Sequence, residues 1–359
     1  MNKMYDLLLK VPQYKLFRKH YYPKLLPINL TVSVTYNCNS KCKTCNIWKK
    51  KPNEFSIDEF EKTFESIGRS PYWLTISGGE PFLRNDIVDI CSSAYNNFKP
   101  GIINIPTNGI RHNKIPNMIE EIINNCSKSQ IIINLSIDGI GEKHDDIRNV
   151  KDNFIKAMKT YEALSAFDYP NFNLGIHTVI SKYNVNDIPQ IYNYFQEKKM
   201  ESYITEIAEE RAELDTIGLN IAPSPEDYTI AIDYLISKVE QETFSGISKI
   251  KQAFRLEYYN NVKKILQEKQ QIIPCYAGFA SAQIAPDGDV WPCCIKADPI
   301  GNLREVDYDF KKVWFNSKAH DQRESIKNKE CYCPLANAHY TNMLCDFKTL
   351  VKVGTKVVY

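Results

Sequence analysis

The sequence predicts an α/β protein built on a parallel sheet and followed by a small cysteine-rich region. Between residues 28 and 242, six strand-like segments alternate with helical ones, the pattern of βα units. The unusual residues fall where those strands end: three clustered cysteines, Gly78-Gly79-Glu80, Thr107-Asn108-Gly109 and Ser136-Ile137-Asp138-Gly139. In parallel α/β sheets, functional groups gather at the C-terminal ends of strands. After Cys275 the texture changes to turn formers, short strands and dense cysteines.

Taken in order, Ile28–Thr35 alternates apolar and polar residues, as a strand does. The loop Cys38-Asn-Ser-Lys-Cys42-Lys-Thr-Cys45 follows. Ser56, with Glu59 three residues on, opens a helix through a capping box. Strands are then expected at 73–77, 102–106, 131–137, 173–181 and 202–208. Helices are expected at 86–97, 115–125, 153–166, 188–199 and 225–241. Such a sheet is either open and doubly wound or curled into a full or partial barrel. Residues 243–273 read as a charged helical connector, 274–348 as a cysteine-rich domain and 349–359 as a tail. Residues 1–27 are basic and aromatic, and Pro12, Pro23 and Pro27 interrupt them. Two readings fit this segment: a helix packed on the sheet domain with its lysines reaching to water, or a weak membrane-surface contact.

Composition excludes several classes. Lys plus Arg (45) balance Asp plus Glu (43), so no global charge points to nucleic acid. No apolar run approaches the ~20 residues of a membrane span. No signal-peptide pattern opens the chain, and a cytoplasmic, reducing compartment is expected. In such a compartment eleven cysteines point to metal rather than to disulfides. Cys91 and Cys126 stand alone in helix-like stretches, where a small buried hydrophobe is the ordinary role.

The spacing C-x3-C-x2-C of Cys38, Cys42 and Cys45 suits three irons of a 4Fe-4S cluster, leaving one iron open. Alone, it also describes half of a zinc site. With Gly78-Gly79-Glu80-Pro81 after the second strand and Ser136-x-Asp138-Gly139 after the fourth, the chain resembles the radical S-adenosylmethionine enzymes over about residues 28–242. The resemblance implies a partial (β/α)6 TIM-type barrel with a small cysteine-rich C-terminal auxiliary Fe-S domain. It implies that the open iron binds S-adenosylmethionine, whose one-electron cleavage gives a 5′-deoxyadenosyl radical that takes a hydrogen atom from substrate. A donor such as flavodoxin or ferredoxin supplies the electron.

The resemblance also places Gly78, Gly79 and Glu80 at the methionyl amine, and Ser136 and Arg148 at the ribose or carboxylate. Asn108 and Asp138 belong to the same pocket, and Val179 and Ile180 pack the adenine. Cys275, Gly288, Cys293 and Gly301-Asn302-Leu303 are similar to the start of a SPASM or twitch extension. Cys331-x-Cys333 departs from the full SPASM pattern, which implies one auxiliary 4Fe-4S cluster on Cys275, Cys293, Cys331 and Cys333. Cys294 and Cys345 are alternates, and structural zinc is the competing reading.

Glu206 is a candidate catalytic residue in the charge run after the sixth strand. A solvated charge run is the ordinary alternative. Within the class, Cys91 or Cys126 is a candidate hydrogen donor to a substrate radical. His177 reads as a packed core residue. The substrate is a peptide, a sugar or a lipid. A non-enzymatic zinc- or Fe-S-bearing protein on a degenerate barrel is the alternative, and intact Cys38, Cys42, Cys45 and Glu80 argue against it.

Overall fold

The structure, a computed structural model, describes residues 3–51, 53–242 and 246–358. The first residues of the expected connector, 243–245, lie outside the described residues, as does Tyr359. Six parallel strands lie in sequence order: β1 (Asn29–Thr35), β2 (Trp73–Gly78), β3 (Ile102–Thr107), β4 (Gln130–Ser136), β5 (Phe172–Ile180) and β6 (Ser202–Ile207). Helices between consecutive strands cover the outer face, as βα connections require. The sheet is not closed, so the α/β architecture is that of a partial barrel.

Every residue of β1 is buried, because both faces are covered. Leu30, Val32 and Val34 join the apolar core beneath the helices. The alternate residues turn inward to polar partners. Asn337 Nδ2 donates to Thr31 Oγ1 at 2.7 Å, Gln283 Nε2 donates to Ser33 Oγ at 3.1 Å, and Thr35 Oγ1 donates to Glu54 at 2.5 Å. Further along the sheet, Asn134 Nδ2 donates to Asn104 Oδ1 at 2.7 Å. The barrel interior is therefore polar, and this pattern positions the site.

The C-terminal region extends the same sheet. β7 (Ser281–Ile284) pairs parallel with β1. β8 (Asp289–Trp291) and β9 (Gly301–Asn302) then add antiparallel. The segment Lys3–His20 is one helix that contains Pro12, so this proline does not break it. Tyr14 and Phe17 are buried against Tyr276, Phe279 and Ala280. The helix thus packs on the cysteine-rich region rather than on the six-strand barrel. Burial of two aromatic side chains, each worth roughly 1.5–3 kcal/mol, offsets the roughly 3 kcal/mol cost of an internal proline. A short helix at Glu142–Arg148, unforeseen in the sequence, carries Arg148 to the barrel mouth.

Candidate active site

The strand ends and the cysteine loop enclose one cavity of about 210 Å³. Cys38, Cys42 and Cys45 line one wall and are free of disulfides. Burial is the main cause that pushes the Cys38 and Cys45 thiols up to about 12; Cys42 is raised for the same reason. Thiols held this high need a strong local cation to become ligands. Among the described residues, no three His, Cys, Asp or Glu side chains converge on one point as a single ion requires.

The loop is held by backbone contacts that only glycine permits. Gly79 N donates to Thr35 O at 2.7 Å, and Glu80 N donates to Asn37 O at 2.8 Å. A Cβ on Gly78 would stand 2.3 Å from Thr35 O, and one on Gly79 would stand 2.1 Å from Asn37 O. The tight approach is thus to the chain that leads into the cysteine loop. Asn108 serves the same loop: its Nδ2 donates to Asn39 Oδ1 at 2.7 Å and to Ser40 Oγ at 3.2 Å.

Glu80 is 1% exposed. Its Oε1 accepts from Thr107 Oγ1 at 2.8 Å and from Phe82 N at 3.2 Å, and its Oε2 accepts from Asn108 N at 2.8 Å. Burial raises its pKa, and these three donors oppose the rise. A carboxylate has about four acceptor positions, so capacity for one more donor remains.

Arg148 and Asp138 form a buried ion pair, with Nε 2.7 Å from Oδ2. The Nε–H does not align on that oxygen as a hydrogen bond. Arg148 Nη1 lies 3.7 Å from Cys42 Sγ. Burial disfavours the guanidinium charge, but Asp138 and the Cys42 sulfur outweigh it, and the pKa is raised. Asp138 Oδ1 also accepts from Val179 N at 3.0 Å. Ser136 and Val179 line the cavity, whereas Ile180 is fully buried in the core.

The opposite wall carries a charged cluster. Glu206 Oε2 is 3.4 Å from Arg211 Nη2, and Glu206 Oε1 is 4.0 Å from His177 Nε2. Glu209 is 3.8 Å from Arg211. Burial, with a further push from Glu206, raises the Glu209 carboxyl to about 8 against the pull of Arg211. The run after β6 is therefore not a solvated charge run, and His177 faces the cavity rather than the core. Sequence reasoning also missed Glu213, which is 8% exposed and accepts from Gln283 Nε2 of β7. Its only signal was a carboxylate three residues after other carboxylates, which is ordinary on a helix or loop.

The structure does not bring Cys91 and Cys126 to this cavity. Both are fully buried in the apolar core, with Cys126 Sγ 3.8 Å from the Cys91 carbonyl oxygen. The reading of either as a hydrogen donor to substrate is set aside on that geometry.

Cys275, Cys293, Cys331 and Cys333 form a second set. Burial pushes the Cys293 thiol up to about 12, with Cys275 and Cys331 adding to it. The Cys333 thiol is raised by burial and then by Glu209, Cys293 and Cys275. Of the two alternates, Cys294 packs in the same cluster as Cys293 and Cys333. It also interacts with Glu213 and Arg211, and Cys345 sits beneath Tyr14 and Phe17. The loop after β6 joins this region to the cavity: Ala212 N donates to Ile295 O at 3.0 Å, and Asn46 N, beside Cys45, donates to Leu214 O at 2.9 Å.

A partial parallel barrel with a three-thiol loop at its rim and further thiols beside it is an arrangement suited to thiolate-bound metal. The family model described as the radical SAM superfamily matches residues 32–195. The model described as an iron-sulfur cluster-binding domain, SPASM, matches residues 275–334. These matches show a radical SAM domain at residues 32–195 and a SPASM domain at residues 275–334.

Relatives include the antilisterial bacteriocin subtilosin biosynthesis protein AlbA of Bacillus subtilis, 23% identical over 87% of this chain and 66% of AlbA. The mycofactocin maturase MftC of Mycobacterium tuberculosis is 24% identical over 81% of this chain and 71% of MftC. Streptococcus suis SuiB bound to S-adenosylmethionine has the same fold, with a TM-score of 0.60 at 16% identity over 90% of this chain and 74% of SuiB. The enzyme class requires a 4Fe-4S cluster and S-adenosylmethionine, and the SPASM domain binds auxiliary Fe-S clusters. Among the described residues, no helix is long and apolar enough to cross a membrane.

Proposed function

We propose that this protein is a radical S-adenosylmethionine enzyme that takes a hydrogen atom from a peptide substrate. The observation that carries the reading is the sharing of one cavity by three free thiols, Glu80 and the Asp138–Arg148 pair on one side, and Glu206, Arg211 and His177 on the other. A peptide is favoured over a sugar or lipid because relatives along most of the chain are maturases, MftC and the sporulation killing factor maturation protein SkfB among them. One fold relative is a SuiB structure bound to its precursor peptide SuiA, with a TM-score of 0.59.

In this reading Cys38, Cys42 and Cys45 hold the first cluster. The cluster and S-adenosylmethionine, once bound, supply one-electron sulfonium cleavage and the radical that attacks substrate. The chain's own residues bind and orient. Glu80, with capacity for one donor beyond Thr107, Phe82 and Asn108, would accept from the methionyl amine. Arg148 stays charged beside Asp138 and offers its guanidinium to a carboxylate or to the Cys42 thiolate. Ser136 offers a hydroxyl to the ribose. Glu206, fixed by Arg211, faces substrate. Cys275, Cys293, Cys331 and Cys333 hold one auxiliary cluster, and a flavodoxin- or ferredoxin-class protein donates electrons.

The test is anaerobic. Protein reconstituted with iron and sulfide is given dithionite and S-adenosylmethionine, and 5′-deoxyadenosine is measured. Formation by the wild type and its loss in Cys42→Ala are expected. No 5′-deoxyadenosine from fully loaded protein would overturn the reading.

A further inference from the structure

We propose that the faces of helices Lys3–His20 and Phe347–Val358 turned away from the protein form a dock for an anionic lipid surface. The first helix buries Val11, Tyr14 and Phe17. Leu9 and Leu16, seven residues apart, lie on its opposite side and are 70% and 49% exposed. On the second helix Val353 is buried, whereas Phe347 and Val351, four residues apart, are 66% and 48% exposed. The helices meet where Lys15 Nζ stands 5.4 Å from the centroid of the Phe347 ring. Four large apolar side chains thus stand in water on two adjoining helices, and exposed apolar surface of this kind marks an interaction site.

Charge decides what the site accepts. The whole chain is nearly neutral, with 45 basic and 43 acidic residues. In sequence these two helices carry seven lysines and Arg18 against a single carboxylate, Asp6. Among the described residues, the one ion pair made by a lysine of these helices is Lys352 with Glu257, at 2.9 Å on a neighbouring helix. Apolar side chains rimmed by lysines suit the boundary between acyl chains and acidic headgroups. A second copy of the same face would set lysine against lysine, which charge repulsion disfavours. Each lysine near an anionic bilayer is worth on the order of fivefold in binding. The helix Lys3–His20 packs against Tyr276 and Phe279, next to Cys275, so the dock adjoins the auxiliary thiol set rather than the cavity mouth.

The experiment is vesicle flotation of the anaerobically reconstituted full chain. Phosphatidylcholine vesicles with 25% phosphatidylglycerol should carry the protein, and pure phosphatidylcholine should not. Binding should fall steeply between 0.05 and 0.5 M salt (conditions of roughly 14 and 4 Å screening length). Lys15→Glu with Lys348→Glu should lower binding at least tenfold, as should Leu16→Ser with Phe347→Ser. These four positions lie outside the buried core, and an unchanged circular dichroism melt shows that the variants remain folded. No binding to the anionic vesicles would overturn the proposal, as would equal binding by both double variants. Concentration-dependent dimerisation abolished by the same substitutions would assign the face to a second copy and would also overturn it.

Discussion

Arg148 Nε lies 2.7 Å from Asp138 Oδ2, and the same guanidinium reaches to 3.7 Å from the Cys42 sulfur. One buried cation thus ties the end of the fourth strand to the cysteine loop. Removing one partner leaves the other charged and desolvated. Asp138→Ala should therefore destabilise the fold by about 3–5 kcal/mol, read as a lower urea midpoint with an unchanged slope. An unchanged midpoint would show that water replaces the carboxylate at little cost.

Gly79→Ala tests the contact between the second strand and the cysteine loop. Its Cβ would meet Asn37 O at 2.1 Å, a backbone atom that moves only with the loop. We expect iron at the first site to fall by at least half while iron at the second site stays. Full loading in this variant would mean that the loop shifts without losing its geometry.

The two thiol sets should load independently. Cys38→Ala with Cys42→Ala removes one set's iron and abolishes 5′-deoxyadenosine. Cys275→Ala with Cys293→Ala keeps 5′-deoxyadenosine and removes only the second set's iron. Iron and zinc analysis of each variant checks both statements, and stoichiometric zinc in the first variant would assign the second set to zinc.

Glu206→Gln should lower substrate turnover by about tenfold or more while cleavage of S-adenosylmethionine without substrate continues. Glu206 is 3.4 Å from Arg211 and faces the cavity across from the cysteine wall. Equal loss of both activities would place it with the cofactor instead.

Glu209 makes a prediction about pH. Burial raises its carboxyl to about 8, above the ordinary value near 4.3. Between those values the folded chain keeps a proton that the unfolded chain has lost. Stability from this group is therefore full below pH 4 and falls as pH rises towards 8. Glu209→Gln should flatten that slope and raise stability at pH 8 by at least about 1 kcal/mol. Urea titrations at pH 5.5 and 8 measure it, and parallel slopes in both proteins would refute it.

The sequence alone determined the parallel α/β architecture, because strand and helix periods are written locally in residues such as Leu30, Val32 and Val34. It also determined the cysteine triplet and Gly78-Gly79-Glu80, because these signals lie within a few residues of one another. Tertiary structure decided the rest. Cys91 and Cys126 look alike to a sequence reader, but only helix packing places both in the core. His177 and Glu206 face the cavity because neighbouring strands register Ser136 with His177 and Val179 with Glu206. Glu213 gains a role from Gln283, 70 residues away. Burial and electrostatic partnership are properties of residues distant in the chain, and no local pattern encodes them.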